Sequence, residues 1–140
     1  MNTLLETQLE CAKESARLLK NMPTCTKNQA LDKIADALIA HSEEILEANK
    51  KDMAHAKEVN MTKAMQDRLL FTHERIVGVS DGVKKVATLP DPIGEVMESW
   101  TRPNGLEISK VRVPIGVFGI IYEARPNVTV DIASLCLKSG

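Results

Sequence analysis

The stretch Val113-Pro114-Ile115-Gly116-Val117-Phe118-Gly119-Ile120-Ile121-Tyr122-Glu123-Ala124-Arg125-Pro126-Asn127-Val128-Thr129 decides how the chain is read. Ile115 to Ile121 is a nearly unbroken apolar run, too short to cross a bilayer. Its β-branched residues and two glycines suit a strand buried on both faces, as in a parallel sheet. Tyr122 to Asn127 then gathers Tyr, Glu, Arg, Asn and a proline into a polar loop, and from Thr129 a helical pattern begins. Strand, polar loop and helix form the unit from which open α/β sheets build ligand sites. Loops at the carboxyl ends of the strands face the binding crevice.

Downstream, Val130, Ala133, Leu137 and Ser134 form the expected buried side of that helix, with Lys138 in the last turn and Gly140 as a C′ residue. A second parallel strand is expected next. Upstream lies a hairpin signal: Trp100-Thr101-Arg102-Pro103-Asn104-Gly105-Leu106-Glu107-Ile108 carries an Asn-Gly pair. Pro103 argues for an edge position. Leu106 and Ile108 alternate with polar residues. The phase then shifts at Lys110, so that Val111 and Val113 become the apolar set, which predicts a bulge or a strand changing sheets.

The first half reads as helices. Leu5, Leu9, Ala12, Ala16 and Leu19 share one helical face, and Pro23 stops that helix. Thr26-Lys27-Asn28-Gln29 reads as a capping box for a second helix burying Leu31, Ile34, Leu38 and Ile39. Ser42 is the expected cap of a third, with Glu43 and Glu44 complementing its dipole and Ile45, Leu46, Met53 and Ala56 on its apolar side. Asn60-Met61-Thr62 reads as a break. Thr62 and Thr72 are expected caps for a short helix over 64–71 and a longer one carrying Ile76, Val79, Val83, Val86 and Leu89. Gly78 and Gly82 weaken the longer helix, and Leu89-Pro90-Asp91-Pro92 ends the helical half.

The bulk composition excludes several classes. With 140 residues the chain has room for one domain, and its net charge of −1 leaves no nucleic-acid footprint or polybasic membrane patch. The start, Met1-Asn2-Thr3-Leu4-Leu5, has no basic region, so no signal peptide is expected. Cys11, Cys25 and Cys136 form no Cys-x-x-Cys pair, and His41, His55 and His73 are too far apart for a local metal motif. A reduced, cytoplasmic protein without a metal site is the expectation.

The string Pro-Ile-Gly-Val-Phe-Gly-Ile-Ile-Tyr-Glu-Ala-Arg-Pro-Asn-Val-Thr-Val-Asp, running on to Gly140, resembles the gamma-glutamyl phosphate reductase family of the aldehyde dehydrogenase superfamily. The resemblance spans the whole chain and is strongest from about Trp100. Since chains of that family are several times longer, this one reads as an amino-terminal piece. The resemblance implies an α/β fold with an incomplete Rossmann-like parallel sheet. The implied divisions are a helical part of the NADPH-binding domain over 1–98, an oligomerisation hairpin over 99–113, and the first β-α unit of the nucleotide-binding sheet over 114–140.

The implied activity is that of a glutamate-5-semialdehyde dehydrogenase. L-glutamyl 5-phosphate is reduced by NADPH to L-glutamate 5-semialdehyde in proline biosynthesis, through a cysteine thioester. None of the three cysteines matches the family's nucleophile, which would lie beyond Gly140, so the chain by itself is expected to be inactive. The substrate-binding candidates are Arg125, Asn127 and Glu123. Arg125 suits bidentate carboxylate or phosphate contact. Asn127 can donate to an oxyanion. Glu123 can orient Arg125 or meet the substrate's ammonium group. Tyr122 is the cofactor-side candidate. The plainer alternative is a Glu123–Arg125 ion pair with Tyr122 as packing.

Many aldehyde dehydrogenases carry Pro-Trp-Asn-x-Pro here, and aligning Pro126 with its second proline puts Ala124 at the Asn position. Gly116-Val117-Phe118-Gly119 lies inside the apolar run rather than in a strand-to-helix turn, so it is not a Gly-x-Gly-x-x-Gly cradle. The family's modified Rossmann domain lacks that fingerprint. A homo-oligomer through the 99–113 hairpin is also implied. The rival from another class is a non-catalytic module that associates through its hairpin.

Overall fold

The structure is a computed structural model and describes residues 3–140. Met1 and Asn2, which belong to the stretch read as lacking a signal peptide, lie outside the described residues. Six helices and one hairpin follow in order: α1 (Thr3–Leu19), α2 (Thr24–Ala40), α3 (Ser42–Glu58), α4 (Lys63–Leu69), α5 (His73–Thr88), β1 (Val96–Thr101), β2 (Glu107–Val111) and α6 (Pro126–Ser139).

The core lies where α2, α5 and α6 meet. Leu31 and Ala35 from α2 close against Val83 and Ala87 from α5, with Ile34, Leu38, Val86, Val130 and Leu137 packed around them. Helical spacing selects all of these but Ala35 and Ala87, while Ile39 and Leu89, which it also selects, are exposed; burying each large aliphatic side chain stabilises by roughly 1.5–3 kcal/mol. Ser80 fits between α5 and α2 because its hydroxyl donates to the Ala35 carbonyl at 2.9 Å, which satisfies a buried polar group. Gly78 and Gly82 stay within α5 despite their low helix propensity.

Two lysines are buried at the same junction. Lys27 on α2 is 1% exposed and donates to Asp91 Oδ2 at 3.0 Å. Lys138 on α6 is 3% exposed and donates to Asn28 Oδ1 and to the Ala87 carbonyl. Lys138 stands in the last turn of α6, as expected, and its ammonium also ties α6 to α2 and α5.

Several helix starts differ from expectation. The helix α2 begins at Thr24, with Pro23 as N-cap and no side-chain cap bond, so Thr26-Lys27-Asn28-Gln29 is not a capping box. The N–H groups of Thr26 and Lys27 already bond to the Pro23 carbonyl, so the helix is under way at Thr26. Ser42 does not cap α3; His41 holds that position and Ser42 is buried. Thr62 and Thr72 do cap α4 and α5, accepting from Met65 N and Arg75 N. The α6 helix starts at Pro126 rather than Thr129, because proline's fixed φ and missing N–H suit the first helical position. On its buried side Ser134 is buried as expected, whereas Ala133 is exposed.

The hairpin forms as expected. Strands β1 and β2 pair antiparallel, and the turn runs through Gly105 at φ +82°, where a side chain would be strained. The register shifts between Val96 and Glu98, opposite Lys110 and Val111. The phase change at Lys110 is thus a bulge on the facing strand.

The run Ile115–Ile121 differs. It has no assigned secondary structure and pairs with no strand among the described residues. Ile115 is 85% exposed, and Ile121 is fully exposed. A parallel strand is defined by neighbouring strands, and no strand among the described residues pairs with it.

Candidate functional site

The loop before α6 meets the end of α4 and the first half of α5 in an open cleft of about 480 Å³. Three arginines line it: Arg68 from α4, Arg75 from α5 and Arg125 from the loop. Their states differ. Arg75 is spent on structure. Its guanidinium donates to the carbonyls of Asp67 and Leu70 and pairs with Asp67 Oδ1 at 3.1 Å, which closes the α4–α5 corner. Asn49 secures that corner from α3: its amide donates to the Leu69 carbonyl at 2.9 Å and its oxygen accepts from Phe71 N at 2.8 Å.

The side chains of Arg68 and Arg125 make no hydrogen bond or ion pair among the described residues, and both are exposed in the cleft. Two unpaired guanidinium groups on one concavity make a receptor for an anion, with the planar forks suited to carboxylate or phosphate. The loop reaches this geometry through strain. Ala124 has φ +52°, a left-handed conformation that disfavours any residue with a Cβ, and Arg125 follows as the N-cap of α6.

Of the residues singled out in sequence, Arg125 and Asn127 line the cleft. The Asn127 amide donates to Asp131 Oδ2 at 2.8 Å, one turn along α6. Glu123 and Tyr122 are not among the cleft's lining residues. The alternative ion pair between Glu123 and Arg125 is not formed among the described residues. The Tyr122 hydroxyl instead makes a hydrogen bond with Thr129 Oγ1, across the start of α6. Sequence reading missed Arg68, Arg75 and Asp131. The first two lie far before the loop in sequence, and only tertiary packing of α5 on α6 unites them with it. A usable signal was present in Asp67-Arg68, charges placed where a short helix ends before a second cap.

The other reactive side chains lie apart from the cleft. Cys11 and Cys25 are exposed and Cys136 is half-buried, and none is a lining residue. His41 and His55 sit on the surface beside Glu44 and Glu58. No group of metal-binding side chains occurs among the described residues, and no helix there is long and apolar enough to cross a membrane.

Comparison with known proteins gives the fold its context. A gamma-glutamyl phosphate reductase from Geobacillus sp. (strain WCH70) is 56% identical over 140 residues, covering 100% of this chain and 34% of that protein. The Clostridium novyi (strain NT) protein of the same name is 53% identical, over 99% of this chain and 33% of that one. The crystal structure of gamma-glutamyl phosphate reductase from Thermotoga maritima superposes with a TM-score of 0.93 at 44% identity, covering 96% of this chain and 33% of that one. No family model matches the chain. Helices, hairpin and loop together define an α/β protein of the aldehyde dehydrogenase type. Within that class the chain belongs to the gamma-glutamyl phosphate reductase family, and it spans about a third of the length of the curated relatives it matches.

Proposed function

We propose that this stretch forms part of an NADPH-dependent reductase of L-glutamyl 5-phosphate, acting in proline biosynthesis in the cytoplasm, and that it contributes the substrate's anion receptor. The observation that carries the reading is the pairing of the family's characteristic loop with a cleft in which Arg125 is exposed and unpaired. The substrate of such an enzyme has a carboxylate and an acyl phosphate, and both call for cationic donors. Arg125 is the proposed anion contact. Asn127 is proposed to hold its amide toward the substrate from the first turn of α6, steadied by Asp131. Glu123, outside the cleft walls, is proposed to approach the substrate only through movement of the strained loop at Ala124.

The described residues do not build a dinucleotide cradle. Gly116 and Gly119 lie in the unpaired run, and the Tyr122 hydroxyl is engaged by Thr129. Tyr122, half exposed, is proposed to offer one aromatic face to the cofactor, with the other contacts supplied outside this stretch. The nucleophilic cysteine is likewise proposed to lie outside it, since none of the three thiols reaches the cleft. The hairpin is proposed as the subunit contact. Every residue of β1 is exposed, Trp100 included, and both strand edges need partners.

The test is a chimera in which this chain replaces the matching third of the Geobacillus sp. protein. Phosphate-dependent reduction of NADP by glutamate 5-semialdehyde is expected. Arg125→Gln should lower kcat/KM by about tenfold or more through loss of a charge-assisted contact. The chain alone should show no turnover. A chimera that folds but never turns over, or an unimpaired Arg125→Gln chimera, would count against the reading.

A further inference from the structure

The cleft holds more than an anion receptor. Asp67 is neutralised by Arg75 at 3.1 Å, so the charges left facing the cleft are Arg68, Arg125 and Asp131. Asp131 is half-buried, and its carboxylate accepts one hydrogen bond, from the Asn127 amide at Oδ2, which leaves Oδ1 without a partner among the described residues. Two free guanidinium groups and one free carboxylate oxygen on one concavity match a ligand that bears both signs of charge. An α-amino acid end, with ammonium and carboxylate on a single carbon, has that pattern. A simple dianion does not, because Asp131 would repel it.

We propose that Asp131 binds the ammonium group of the substrate and that Arg68 binds its α-carboxylate, so that the cleft selects an α-amino acid over a dicarboxylate of equal length. The choice of glutamate as that amino acid rests on the reductase reading above. The division of work follows from position. Arg125 precedes α6 on the strained loop and stays free for the far, acyl-phosphate end, while Arg68 sits on α4 beside the Arg75-locked corner. Asn127 holds the Asp131 carboxylate in place from the preceding turn. Arg68 is therefore a specificity residue in a segment that the loop alone would not suggest.

The experiment is a titration of the isotopically labelled 140-residue chain, followed by amide NMR, with L-glutamate and with glutarate, which lacks the ammonium group. L-glutamate should shift the amides near Arg68 and from Arg125 to Asp131, and should bind about tenfold more tightly than glutarate. Asp131→Asn should abolish that preference while leaving glutarate binding as strong or stronger. Arg68→Gln should weaken both ligands by about tenfold. Equal affinities for the two ligands in the unmodified chain, shifts confined to other surfaces, or a preference that survives Asp131→Asn would each overturn the proposal. The comparison in the unmodified chain stands even if a variant fails to fold. Turnover by the chimera judges the reductase reading separately: an active chimera whose component chain does not discriminate glutamate from glutarate refutes this inference alone.

Discussion

At the scale of single residues, the most consequential polar contact is the pair between Lys27 and Asp91. Burial of the Asp91 side chain pushes its carboxyl upward, but donors from Ile93 N–H, Lys27 and Thr24 outweigh that cost and hold it below the usual carboxylate range. A buried ion pair replaced whole by apolar groups can be neutral, yet breaking it from one side strands a charge. Asp91→Ala leaves the Lys27 ammonium, 1% exposed, with only the Lys138 carbonyl at 3.4 Å. A loss of about 3 kcal/mol in unfolding free energy is expected by denaturant titration. The sign of the pH effect follows from the lowered carboxyl. Its contribution is full above the unfolded-state pKa and disappears as pH falls through the folded one, so this part of the stability should fade below about pH 4. Asp91→Asn should remove that acid-sensitive component from the melting curves. Nothing in the sequence announces this pair. Lys27 reads as part of a cap and Asp91 as a loop residue between prolines, and only the packing of that loop on α2 makes them partners.

At the scale of elements, what was legible follows from local physics. Helical spacing located the core residues Leu31, Val83, Ile76 and Leu38, and Thr62 and Thr72 were readable as caps because their hydroxyls act within three residues. The Asn104-Gly105 turn was readable for the same reason. Starts governed by proline were misread: at Pro23 and Pro126 the ring itself begins the helix, so the hydroxyl-based signals at Thr26 and Thr129 fall inside it. Half of the candidate site was visible, since Arg125 and Asn127 lie two positions apart where the loop enters α6. Arg68 and Asp131 were not, since their meaning depends on α4 and α6 sharing a cleft. The left-handed Ala124 was not readable either, because alanine gives no sign of positive φ. It makes a specific prediction. Glycine carries no Cβ penalty there, so Ala124→Gly should raise unfolding free energy by about 0.5–1 kcal/mol. The same change frees the loop that presents Arg125, so the chimera's KM should rise as its stability does. Paired melting and initial-rate measurements check both halves.

At the scale of the whole molecule, the segment that reads most clearly as a buried strand is almost wholly exposed. Ile115 and Val117 through Ile121 are all exposed, while the core sits between α2, α5 and α6. The two observations agree once sheet physics is considered. A run of apolar residues without polar alternation belongs between neighbouring strands, and the described residues supply none. Exposed together, such residues form an unpaired, apolar edge of the kind that drives association. This gives a prediction whose sign depends on context. In the 140-residue chain, Ile121→Lys adds charge at a fully exposed position and should reduce concentration-dependent association in light scattering, with melting unchanged within about 0.5 kcal/mol. In the chimeric reductase, strands from the remaining two thirds would flank the run, and the same lysine would be forced into an apolar layer. There it should destabilise by about 3 kcal/mol or prevent folding. Improved solubility in the chain together with damage in the chimera would show that Ile115–Ile121 is a core strand whose neighbours lie outside this stretch. A lysine tolerated in both would mean that the run stays on the surface of the whole reductase, and the parallel-sheet reading of it would fall.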